Sequence, residues 1–155
     1  MNEIKVPISP GELLDKITIL RIKSKRMSDI KVPISPGELL DKITILRIKS
    51  RRMTDPKKLA NVRMELEALE HTWKSSAYAG VDVDADVSAL LAVNERLWTI
   101  EDDIRDKERA KAFDEEFVRL ARAVYIENDE RAAIKRRLNV KLGSTLIEEK
   151  SYAGY

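Results

Sequence analysis

The stretch IKVPISPGELLDKITILRIKS decides the reading because it occurs twice, at residues 4–24 and again, unchanged, at residues 30–50. The repeated unit is longer, 1–26 against 27–52, and differs at three positions: Asn2/Ser28, Glu3/Asp29 and Lys25/Arg51. The second copy opens Met27-Ser28-Asp29, like a start of translation. Residues 27–155 therefore read as a complete single helical domain, and residues 1–26 as an added copy of its first cap-and-helix element.

Each copy opens with a short extended piece. Pro7 and Pro33 withhold a hydrogen-bond donor, so a strand here lies at an edge. A helix start follows. Ser9 and Ser35 stand at the N-cap, Pro10 and Pro36 at N1, Glu12 and Glu38 at N3, which is a capping box. Ile8 with Leu13, and Ile34 with Leu39, are spaced as hydrophobic staples. Ser-Pro-Gly-Glu is thus a cap rather than a phosphate loop. Beyond it Leu13, Ile17, Leu20 and Met27 share one face, while Ile19 and Ile22 point elsewhere. A helix apolar on several sides belongs inside a bundle. The β-branched run Ile17-Thr18-Ile19 would also suit a strand; the cap decides for helix.

Asp55-Pro56 starts the next helix by the same logic. Leu59, Val62, Leu66, Leu69 and Trp73 alternate spacings of three and four, a coiled-coil-like seam. Residues 75–81 read as a loop. Asp82, Asp84 and Asp86 alternate, but a calcium loop would need Gly at 87 and Glu at 93, and both are Val; these acids suit a helix N-terminus instead. A further seam comprises Leu90, Val93, Leu97, Ile100 and Ile104. After a charged run, Phe113, Phe117, Leu120 and Val124 resume in another phase. One bent helix over 85–138 would reach about 80 Å. The phase slip, with Asp114 as a cap, favours two antiparallel helices joined near 110–113. Residues 145–152 read as an extended tail lying on the bundle, beside an Ile-Lys-Val-Pro-Ile segment. The fold class is all-α: an antiparallel bundle or long helical hairpins, with short extended N-terminal pieces and a C-terminal tail.

Charged residues make up 36% of the chain and aromatics 5%, which suits helices with solvated faces. Without cysteine, disulfides are excluded. The N-terminus lacks a signal-peptide core and no apolar run is long enough to span a bilayer, so a cytoplasmic protein without a membrane partner is expected. The net charge is +2, yet each copy carries six Lys/Arg against three Asp/Glu, so removing one would leave −1. The basic balance comes from the duplication and is poor support for a nucleic-acid partner; aromatic interleaving for base stacking is absent too.

Chemistry is best sought where the last seam turns polar. After Val124 the next core positions are Glu127 and Arg131, before Ile134 and Leu138. In a hairpin centred near Lys111, Trp98 faces Val124 and Tyr125, and Asn94 faces Asn128. The candidate binding cluster is Asn94, Trp98, Glu101, Asp102, Arg105, Tyr125, Asn128, Asp129 and Arg131. It reads either as a polar pocket or as a structural polar layer that fixes helix register. No catalytic residue, metal site or cofactor is assigned. His71, the one histidine, lacks a partner ligand and reads as a surface residue. Lys135-Arg136-Arg137 reads as a complement to the negative end of its helix. An enzymatic alternative would hold Mg²⁺ between Glu67 and Glu70 on one helix and Glu101 and Asp102 on another. That loosely resembles the all-α nucleotide pyrophosphohydrolases, but Ile104 stands where their second motif needs an acid.

Taken together, VPISPGELLDKITIL, then Leu97-Trp98-Thr99-Ile100-Glu101-Asp102-Asp103-Ile104-Arg105, then Val124-Tyr125 with Asn128-Asp129, then Glu148-Glu149-Lys150-Ser151-Tyr152, resemble a bacterial family of small helical proteins of unknown function. The resemblance covers 27–155, brings no catalytic residues, and implies a surface-polysaccharide context. The expected function is a non-enzymatic interaction or scaffold protein. Both copies of the first helix are too apolar to leave in water, and the segment 27–34 is short and contains Pro33. A homo-oligomer is therefore expected, either by exchange of N-terminal helices between chains or as a dimer.

Overall fold

The computed structural model describes residues 3–20 and 30–154, with side chains for 3–15 and 31–154. The linker 21–29, with Ile22 and Met27, and the side chains of Ile17, Ile19 and Leu20 lie outside what is described. The elements run β1 (Ile4–Ile8), α1 (Pro10–Leu20), β2 (Ile30–Ile34), α2 (Pro36–Arg52), α3 (Pro56–Lys74), α4 (Asp84–Arg109) and α5 (Glu115–Lys141). The architecture is predominantly α-helical, with one small two-stranded antiparallel sheet. Among the described residues no helix is long and apolar enough to cross a membrane.

The N-cap side of each cap forms, while the Glu12 and Glu38 carboxylates accept from Lys42 and Lys135. The Glu12 amide donates to Ser9 Oγ at 3.2 Å, the Glu38 amide to Ser35 Oγ at 3.1 Å, and the Lys58 amide to Asp55 Oδ1 at 3.0 Å. Helix α2 is the hub. It packs on α3, α4 and α5, so Leu39, Leu40, Ile43, Leu46 and Ile48 are buried on several sides of one helix, as its apolar circumference requires. Val62 and Leu69 of α3, Leu90 and Val93 of α4, and Ile134 and Leu138 of α5 complete the core. Strand β1 adds Ile4, Val6 and Ile8 to it.

Helices α4 and α5 form an antiparallel hairpin, as the phase slip favoured. The turn occupies 110–114, with Lys111 at φ 53, and the Phe117 amide donates to Asp114 Oδ1 at 3.0 Å. Phe113 sits in that turn, half exposed, and packs edge-on to Phe117. Arg96 ties the hairpin by donating to Glu127 at 2.9 Å and Glu130 at 3.0 Å. The register differs from the expected one. Asn94 meets Arg131 at 3.4 Å rather than Asn128, because the turn is longer and centred later than Lys111. The slip is about two residues, roughly half a helical turn.

Past Gly143 the chain has no regular structure and doubles back along α5. Glu148 accepts from Lys135 at 3.0 Å, Glu149 from Arg136 at 2.6 Å, and Lys150 reaches Asp129 at 3.7 Å. Leu146 and Ile147 face Pro33 and Ile34 of β2 across a cavity, in the place expected of the tail. The basic run 135–137 is occupied differently from its sequence reading. Arg137 donates to Asp86 at 2.8 Å and Lys141 to the same carboxylate at 3.2 Å. These cations meet carboxylates of other segments rather than the end of their own helix.

Candidate functional site

The site is built on the first two turns of α2. Gly37 lets that turn approach α5: its amide donates to Asn139 Oδ1 at 2.7 Å. A Cβ there would stand 2.6 Å from the Lys135 carbonyl and 2.8 Å from Asn139 Oδ1. The bond also satisfies one of the amides that a helix N-terminus leaves open. One turn on, Asp41 is only 4% exposed. Asn94 of α4 donates through its amide nitrogen to Asp41 Oδ1 at 2.8 Å and to Thr44 Oγ1 at 3.0 Å. Its oxygen accepts from Arg131 of α5. Lys135 donates to Glu38 at 2.6 Å and lies 3.9 Å from Asp41. One connected polar network thus joins α2, α4, α5 and the tail. No described buried side-chain polar atom lacks a hydrogen-bond partner.

Electrostatics follow from this burial. Desolvation pushes the Asp41 carboxyl above the ordinary carboxylate range, against the Asn94 hydrogen bond and the charges of Arg131 and Lys135. For Lys135 desolvation pulls down, but Glu38, Asp41 and Glu148 outweigh it and hold the ammonium above its usual value. Burial also opposes the charge on Asp86, and the bonds from Arg137 and Lys141 overcome it, so that carboxyl is held below its usual range.

Two cavities open along this network. The first, of about 410 Å³, is walled by Ile45, Ile48 and Lys49 of α2, by Asn94, Leu97, Trp98, Glu101, Asp102 and Arg105 of α4, and by Asn128 and Arg131 of α5. The second, of about 650 Å³, lies over Ser35, Glu38, Asp41, Lys42 and Lys135, with the tail as its far wall. Ile45 and Arg131 line both and stand between the two. Arg52 stands 5.9 Å from the Trp98 ring centroid, and Arg105 pairs with Glu101 at 3.2 Å.

The first cavity gathers Asn94, Trp98, Glu101, Asp102, Arg105, Asn128 and Arg131 of the expected cluster. Tyr125 and Asp129 fall elsewhere. They line a separate hollow with Val124, Lys150 and Tyr152, and Asn128 forms the wall between the two. Within the cluster Asn94 is a fully engaged structural link, whereas Asn128 is half-buried and donates only along its own helix, to the Val124 carbonyl at 2.9 Å. The structure does not bring Glu67 and Glu70 to Glu101 and Asp102. Glu67 is exposed, Glu70 is held by Arg47 at 2.8 Å, and neither lines the cleft. Among the described residues no cluster of His, Asp or Glu is arranged to hold a metal ion. His71 is exposed on α3.

Sequence reasoning missed Asp41, Thr44, Glu38 and Lys135. A signal was present: Asp41 lies one turn after the N-cap among the apolar positions Leu39, Leu40, Ile43 and Leu46. A charge at such a position demands partners from facing helices.

Among known proteins, a family model described as a family of unknown function (DUF6165) matches residues 30–155. No curated protein and no solved structure matches the chain.

Proposed function

The chain belongs to this family of unknown function, and we propose that it acts as a non-enzymatic binding protein whose α2–α4–α5 cleft holds a saccharide, free or as part of a polymer. The make-up of the cleft carries the reading. The half-buried Trp98 and Ile45 offer apolar surface among the lining residues, with Asn128, Lys49, Asp102 and Arg105 beside them. A sugar presents the matching pair of features, an apolar C–H face and a rim of hydroxyls that donate and accept. The resemblance to proteins of a surface-polysaccharide context supports the same ligand class. Binding is favoured over proton-transfer chemistry because the deepest ionisable groups hold one another: Asp41 with Asn94, Arg131 and Lys135, and Lys135 with Glu38.

The test is a thermal-shift and tryptophan-fluorescence titration with neutral and acidic sugars, run beside Mg²⁺ with nucleotides. Sugars are expected to raise the melting temperature by mass action and to change the tryptophan emission, a change that Trp73→Phe retains. Asn128→Ala should abolish both responses while altering the stability of the free protein by less than about 0.5 kcal/mol. If that variant instead loses about 1–3 kcal/mol and still binds, Asn128 is structural and the site assignment falls. Stabilisation by Mg²⁺-nucleotide with turnover would replace the binding reading with an enzyme.

A further inference from the structure

Strands β1 and β2 carry the same five residues, and their register is symmetric about one of them. Ile4 pairs with Ile34, Lys5 with Pro33, Val6 with Val32, Pro7 with Lys31 and Ile8 with Ile30. In repeat terms the first Ile meets the last Ile of the other copy, each Lys meets a Pro, and the central Val meets itself. Two identical strands paired antiparallel about their common midpoint obey a local two-fold axis, the operator of a C2 homodimer.

The surroundings fit the same operator. Ile4, Val6 and Ile8 are buried in the core, Val6 completely, with β1 lying against α3. The strand of a second copy would bring the identical Ile30, Val32 and Ile34 to that seat. Beside it Lys42 bonds Glu12 at 2.6 Å; its counterpart in a dimer is Glu38 of the second copy. Helix α1 also leaves room. On α2, Gly37 lies against Lys135 and Asn139 of α5, Asp41 meets Asn94 of α4 and Lys135 of α5, and Leu40 is 3% exposed. On α1 the equivalent Leu14 is 55% exposed, Asp15 is exposed, and a Cβ on Gly11 would meet nothing within 4 Å. At these described residues the face that would carry the second copy's α4 and α5 is exposed.

We propose that residues 1–26 stand in, within one chain, for the first element of a second subunit, and that the 27–155 domain has a two-fold homodimer interface formed by β2 pairing with β2 about Val32. The partner this surface fits is a second copy of the same domain. In the present chain the first copy occupies that surface, whether it comes from the same chain or is exchanged with a neighbour.

The test uses the full chain with β1 dislodged. Val6→Lys places an ammonium in a fully buried seat with no partner, which burial strongly disfavours, so β2 is left to pair with β2 of another molecule. Light scattering is expected to show Val6→Lys as a dimer at high concentration, dissociating on dilution. Adding Val32→Lys should return it to the monomer mass of 17.7 kDa, because like charges meet directly across the axis. A synthetic peptide of residues 3–20 should also split the Val6→Lys dimer. A helical Val6→Lys chain that is monomeric at every concentration overturns the proposal, as does a dimer that Val32→Lys leaves intact. If Val6→Lys loses its helical circular dichroism, the milder Val6→Ser takes its place with the same two outcomes.

Discussion

Residues 9–15 and 35–41 are the same seven amino acids in the same order, both starting a helix behind a serine cap, yet their surroundings have little in common. Leu40 is 3% exposed and Leu14 55%; Asp41 is buried and Asp15 exposed. Gly37 lies against the backbone of α5 while Gly11 faces open space. The cap is a local property, so it forms in both places. Burial is conferred by what the rest of the chain delivers, Asn94 from α4 and Arg131, Lys135 and Asn139 from α5, and those arrive once. The pair therefore separates intrinsic helix signals from tertiary packing at constant sequence.

The largest expected effect that would break this contrast is at the leucines. Leu40→Ala should cost about 2–5 kcal/mol, as emptying a packed site does, whereas Leu14→Ala should change global stability by less than about 0.5 kcal/mol. Equal denaturation midpoints for the two variants would refute the asymmetry. Next come the glycines, where the sign itself should differ. Gly37→Ala forces a Cβ onto the Lys135 carbonyl and should cost about 1–3 kcal/mol. Gly11→Ala meets nothing and gains about 0.5 kcal/mol from reduced backbone freedom in the unfolded chain. Chemical denaturation of the pair reads both.

The aspartates sharpen the comparison through pH. Burial raises the Asp41 carboxyl above its ordinary range, so the folded state takes up this proton before the unfolded chain does. Its contribution to stability therefore rises as the pH falls from neutral through the raised value, and levels off below the unfolded value. Asp41→Asn removes that dependence. The stability difference between wild type and variant should move in favour of wild type on acidification. Asp15→Asn should change stability by less than about 0.5 kcal/mol at neutral pH. The caps give a smaller contrast than the leucines. Ser35→Ala should cost about 1 kcal/mol, and Ser9→Ala should lower only the helicity of α1, seen as faster amide exchange there.

The helix starts at Ser35, Asp55 and Asp114 were legible because each cap lies within four residues of the group it satisfies. The hairpin was legible from the phase slip between Ile104 and Phe113. Its register was not, because a few residues in the turn move every facing pair, and Asn94 found Arg131 instead of Asn128. That register depends on backbone geometry at Lys111, which no side-chain pattern encodes. Most of the expected cluster does line one cleft. Tyr125 and Asp129 left it because they lie about 90–130° around α5 from the Asn128–Arg131–Lys135 face. The Asp41 network went unread because its members come from four segments, and sequence spacing says nothing about which of many acids meets which base. The two environments of the repeat could not be read at all, since identical residues carry identical signals.

Only residues 53–55 separate α2 from α3. That short tether, not any side chain, is what assigns the buried niche to the second copy, because the first could fill it with the same atoms from 4 to 24. If the copies traded places, the connection to α3 would lengthen from residues 53–55 to residues 27–55. The landscape therefore holds two competing threadings of one architecture. Refolding from denaturant is accordingly expected to show a slow minor phase in which the first copy must vacate the niche before the second can enter.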